Sequence, residues 1–168
     1  MDLLRLTAIA AVACQAANAD PSPVAEPVHT PSVQGVAHPG TWRALPAVAT
    51  ATAGAVAGAG ITVDVADAWG DPAMGCYAVW LALRGATDDP AALADQVIAG
   101  LTGLAPSAIA RPSPPDGTLG FAFARPPFRG QARVRLATGR ISAVACFGND
   151  REPADCAADC TGVLEHAP

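Results

Sequence analysis

The chain contains no lysine: all ten of its basic residues are arginine, and fifteen acidic residues bring the net charge to −5. That balance lacks the basic footprint that a nucleic-acid surface requires. Aromatic residues are scarce at 5%, and charged residues make up only 15%. Alanine makes up nearly half of the 51% apolar share, and the large rings come only from Trp42, Trp69, Tyr77, Trp80, Phe121, Phe123, Phe128 and Phe147. An apolar fraction of this size still excludes a disordered chain. A length of 168 residues suits one domain. The alanine excess and the use of arginine for lysine read as the imprint of a GC-rich genome.

Catalytic signatures are missing too. The three histidines, His29, His38 and His166, all lie outside the expected body of the domain. A Ser-His-Asp or Cys-His site would have no base there. There is no G-x-G-x-x-G, P-loop, G-x-S-x-G, C-x-x-C or C-x-x-C-H. The adjacent Asp88 and Asp89 stand where a helix opens, which suits capping better than acid–base work. We expect no catalysis, no cofactor, no metal site and no nucleic-acid partner.

No apolar run reaches the roughly 20 residues that span a bilayer. The first 19 residues instead read as a secretion signal, with Arg5 ahead of a short apolar run from Leu6 to Ala13. Two cleavage points compete. Ala17-Asn18-Ala19 is an ordinary A-x-A site. Ala11-Val12-Ala13-Cys14 resembles a bacterial lipobox, in which the cysteine is acylated and becomes the first residue. By the same resemblance, Gln15 after the cysteine implies the outer membrane in a Gram-negative host. Residues 20–41 carry five prolines and read as an extended tether. Residues 42–168 form the single folded domain.

Within it, Leu45–Gly58 reads as a weak, alanine-rich helix begun by Pro46. Ile61–Val65 alternates as a half-buried strand does, and Cys76–Leu83 is nearly continuous in apolar character, as a central strand would be. Asp89-Pro90 opens a helix whose apolar stripe is Leu93, Val97, Ile98 and Leu101. Residues 104–117 hold four prolines and read as a loop. Three strands follow, Thr118–Arg125, Gly130–Ala137 and Arg140–Phe147, the last two joined by a Thr138-Gly139 turn. A helix from about Pro153 to Glu165 closes the order α-β-β-α-β-β-β-α. The expected fold is α+β in two layers, a mostly antiparallel sheet of about five strands with helices packed on it.

Four cysteines remain after export: Cys76, Cys146, Cys156 and Cys160. Two disulfides are the usual outcome in an exported small domain. Cys156 and Cys160 are stacked i, i+4 on one helix and should face different partners. The short connection after the last strand favours Cys146–Cys156, leaving Cys76–Cys160. Zinc is disfavoured because C-x9-C-x3-C with His166 matches no usual ligand spacing.

Arg125, Arg129, Arg133, Arg135 and Arg140 concentrate around the late strands and make a candidate anion-binding face. Asn149, Asp150 and Arg151 make a candidate binding edge before the last helix. The order CYAVWLAL, helix, FAFAR, ARVRLATGRISAVACF, terminal helix resembles the PsbP-like fold, which includes small bacterial lipoproteins of the DcrB type. The resemblance covers roughly residues 42–165 and implies a non-enzymatic envelope module. The functional expectation is an exported, lipid-anchored binding or accessory protein with a protein partner in the cell envelope. The alternatives are a secreted inhibitor or immunity-like protein, and a small thiol-redox or other enzyme.

Overall fold

The structure, a computed structural model, describes residues 40–57, 61–100, 105–111, 117–149 and 153–165. In chain order the elements are β1 (Arg43–Ala44), α1 (Pro46–Val56), β2 (Thr62–Asp71), β3 (Cys76–Arg84), α2 (Pro90–Gly100), β4 (Pro106–Ala110), β5 (Thr118–Arg125), β6 (Phe128–Ala137), β7 (Arg140–Asn149) and α3 (Pro153–Glu165). The seven strands form one sheet in the order β1-β2-β3-β7-β6-β5-β4, every pairing antiparallel.

β3 explains the layering. Its residues alternate between two cores: Val79, Leu81 and Leu83 pack on one side, and Cys76, Ala78 and Trp80 on the other. A strand that is apolar on both faces must be covered on both. α1 and α2 cover the first face through Val48, Ala49, Leu93 and Ala94. α3 covers the second through Cys156, Val163 and Leu164. The domain is α+β with an antiparallel sheet, as expected, but it has three layers where two were expected.

It also has more strands than the expected five. The two-residue β1 is too short to carry a pattern. β4 lies inside the proline-rich stretch read as a loop; it starts on Pro106, sits at the sheet edge, and is interrupted by a bulge at Ala108, whose φ is 50°. Proline is tolerated at the first residue of an edge strand, and a bulge erases the two-residue period. β2 extends to Asp71, past the expected end at Val65.

Local signals behave as read. The Asp89 carboxylate accepts a hydrogen bond from the Ala91 N–H at 3.0 Å, and Pro90 follows it as the first residue of α2. Leu93 of α2 is fully buried, with Val97 and Ile98 packed against the same core. Gly139 turns β6 into β7 with a φ of 66°. At the opposite end of this face, Tyr77 stacks on Phe147 at 5.6 Å and Phe128 meets both edge-on.

Candidate functional site

The α3 face is organised by two disulfides, Cys76–Cys156 and Cys146–Cys160. Four bridged cysteines were expected; the pairing Cys146–Cys156 with Cys76–Cys160 is corrected. The physical reason is depth. Cys146 lies three residues inside the end of β7, about 10 Å at strand rise. α3 folds back along that strand, and Cys156 is only about 4.5 Å into the helix, while Cys160 is about 10.5 Å in. The deeper strand cysteine therefore meets the later helix cysteine. Cys76 opens β3 opposite Gly148, near the sheet end, and so takes the first-turn Cys156. Gly148 permits the approach, since a Cβ there would sit 2.9 Å from the Cys156 sulfur.

α3 ends at the row of paired residues Trp80, Val144 and Arg133. There an Arg133 Nη donates to the Leu164 carbonyl at 2.8 Å. An arginine on a terminal carbonyl complements the helix dipole.

Beyond the helix the face is arginine-bearing. Ala132, Val134 and Leu136 of β6 point into the α1/α2 core, so Arg129, Gln131, Arg133 and Arg135 line the α3 face, all exposed. Their β5 partners are Ala124, Ala122, Gly120 and Thr118, none of them bulky. Arg140 opens β7 on this same face. The structure thus brings together Arg129, Arg133, Arg135 and Arg140. It separates Arg125, which pairs with Phe128 and shares the register of the opposite face. Asn149 also pairs with Phe128, and its N–H is taken by the Gly75 carbonyl. Asp150 and Arg151 lie outside the described residues, as do Cys14, residues 20–39 of the tether, Leu101 and the three histidines.

Two participants were missed in the sequence. Arg84, at the end of β3, pairs directly with Arg140 of β7. Its guanidinium grips Asp64, with Nε 2.8 and 2.9 Å from the two carboxylate oxygens and Nη at 2.7 Å. Hydrogen bonding from Arg84 holds the Asp64 carboxyl below its usual range, opposed by slight desolvation and helped by the charges of Arg84 and Arg140. The same hydrogen bond pushes Arg84 up. The second is Ser142, whose hydroxyl accepts from the Trp80 indole at 3.3 Å. Both could have been found by aligning the β3 and β7 runs antiparallel and counting faces.

Among the described residues no group of three or more metal-ligating side chains converges. No helix there is long and apolar enough to cross a membrane. No family model, curated protein or solved structure matches the chain.

Proposed function

We propose that this chain is a non-catalytic, exported binding module of the PsbP-like type, anchored through an acylated Cys14, that docks an acidic protein partner in the envelope on the arginine half of its α3 face. One observation carries the reading: the α3 face of β5 to β7 bears four of the ten arginines, Arg129, Arg133, Arg135 and Arg140, and none of the fifteen acids. In a chain of net charge −5 this half of the sheet stands out as a positive field. The small residues of β5 leave the arginines reachable, and complementary charge sets encounter rate and orientation. Two disulfides fix α3 beside them, so the surface is organised before a partner arrives.

The test is a charge change at the end of the face nearest the disulfides. Arg129→Glu with Gln131→Glu should abolish capture of an acidic envelope protein that wild type binds in a salt-sensitive way. Capture that survives both the substitutions and high salt refutes the docking face. If the captured protein is an enzyme that loses activity when bound, the inhibitor reading replaces the accessory one. Mass measurement of the mature N-terminus decides anchoring: an unlipidated chain starting at Asp20 would remove Cys14 from the proposal.

A further inference from the structure

We infer that the far end of the α3 face holds a binding site for a phosphate-type oxyanion, built from Arg135, Arg140, Thr118 and Ser142. Two rows of cross-strand partners make it. In the first, Thr118 of β5, Arg135 of β6 and Ser142 of β7 stand directly opposite one another. In the second, Arg84 of β3 stands directly opposite Arg140 of β7, which is diagonal to Arg135. Diagonal neighbours on one face lie roughly 7–8 Å apart at Cα, within easy convergence of two long side chains. α3 stops one row earlier, at Arg133, so nothing among the described helices covers these rows.

Three physical facts point to an anion. First, like charges directly opposite across an antiparallel pair are destabilising. Arg84 and Arg140 occupy such a pair, and sequences break a local rule of this kind where function requires it. Second, among the described residues the acids nearby neutralise the cluster only in part. Asp64 is hydrogen-bonded to Arg84 and only feels the charge of Arg140 without touching it. Asp88 lies against the Gly139 turn, yet neither Arg135 nor Arg140 has an ion pair or side-chain hydrogen bond among the described residues. Third, the donors suit a many-oxygen anion. The Ser142 oxygen accepts from Trp80, which leaves its proton to donate outward. With the exposed Thr118 on the other flank of Arg135, two hydroxyl and two guanidinium side chains rise from one face of three neighbouring strands. Arginine forks bind phosphate in bidentate geometry. A carboxylate offers two oxygens, which Arg84 already shows one arginine can saturate. A phosphate group offers enough oxygens for the whole set.

The site shares the arginine face with the protein-docking reading, but the docking test changes only Arg129 and Gln131, at the other end of that face. The probe is inorganic phosphate, titrated into the full chain with both disulfides formed, with chloride holding ionic strength constant. Saturable amide shifts are expected at Thr118, Arg135, Arg140 and Ser142, and phosphate should raise the melting temperature. Arg140→Gln should weaken binding about tenfold or more, as loss of a charge-assisted fork does. The same variant should melt close to wild type without phosphate, because it removes a like-charge contact with Arg84 along with a screened attraction to Asp64. A merely structural role would lower the melting temperature instead. Arg129→Glu with Gln131→Glu should leave phosphate binding in place, so failure of one reading is separable from failure of the other. Phosphatidylglycerol vesicles distinguish the source: co-sedimentation lost in Arg140→Gln marks a lipid headgroup, and shifts with glycerol phosphate alone mark a soluble phosphate. No saturable shift, an equal response to chloride, or an Arg140→Gln titration identical to wild type would overturn the inference.

Discussion

Breaking the two disulfides separately should produce unequal losses. Cys76–Cys156 spans 80 residues of sequence and Cys146–Cys160 spans 14, so loop-closure entropy assigns them about 4.5 and about 3 kcal/mol. Neither bridge shortens the other's loop appreciably, so the two terms can be compared directly. Burial acts in the same direction: Cys76 and Cys156 are both buried, whereas Cys160 is only partly so. Cys76→Ala with Cys156→Ala should therefore cost about 1.5 kcal/mol more than Cys146→Ala with Cys160→Ala. For a domain of this size that is a melting temperature lower by about 5–7 °C. The assay is thermal unfolding followed by circular dichroism, with urea midpoints as a check that the slope is unchanged. Equal losses, or a larger loss for the short bridge, would refute the entropic argument. Non-reducing peptide mapping tests the pairing itself.

Gly148→Ala should push a methyl against the Cys156 sulfur and cost about 1–3 kcal/mol, read from urea unfolding; a neutral result would mean that α3 does not cross β7 there. Arg133→Gln should lose the charged hydrogen bond to Leu164 and cost about 1 kcal/mol, with faster amide exchange confined to the last turn of α3. Asp64 should give a pH signature. Its folded value is depressed, so its contribution is present above the unfolded value near 3.9 and is lost as pH falls through the lower folded value. Asp64→Asn should thus melt below wild type at pH 6 and converge with it in strong acid. A gap that persists unchanged to pH 2 would assign the effect to packing.

Much of the fold was legible because local chemistry and tertiary packing agree. Asp89-Pro90, the Thr138-Gly139 turn, and the alternation of Ala132, Val134 and Leu136 against arginine each specify one backbone state. The number of layers was written in β3 as well: CYAVWLAL has no wet face, which already demands cover on both sides. β4 was not legible, since its proline, bulge and exposed alanines resemble a loop and only pairing with β5 makes it a strand. The disulfide partners required comparing rise per residue in a strand and in a helix, which adjacency in sequence conceals. For the candidate site, Arg135 and Arg140 were visible as residue types. Arg84 and Ser142 were not, because what recruits them is the register of β3 and β6 on β7.

Among the four cysteines of the folded domain the connectivity interleaves: first with third, second with fourth. A chain oxidised in the order its cysteines emerge would join Cys76 to Cys146 first. Only the formed sheet opposes that mistake, since Cys146 pairs with Ala78 and so lies diagonal to Cys76, roughly 7–8 Å away at Cα and past easy disulfide reach. The wrong bond would strand Cys156 and Cys160 on one helix and deny α3 its seat. A chain that made that bond before the sheet closed would need thiol–disulfide reshuffling once the last helix arrives. A host with a strong oxidase and no isomerase should accumulate the misjoined form, while added isomerase or a glutathione redox buffer should restore the native pairing.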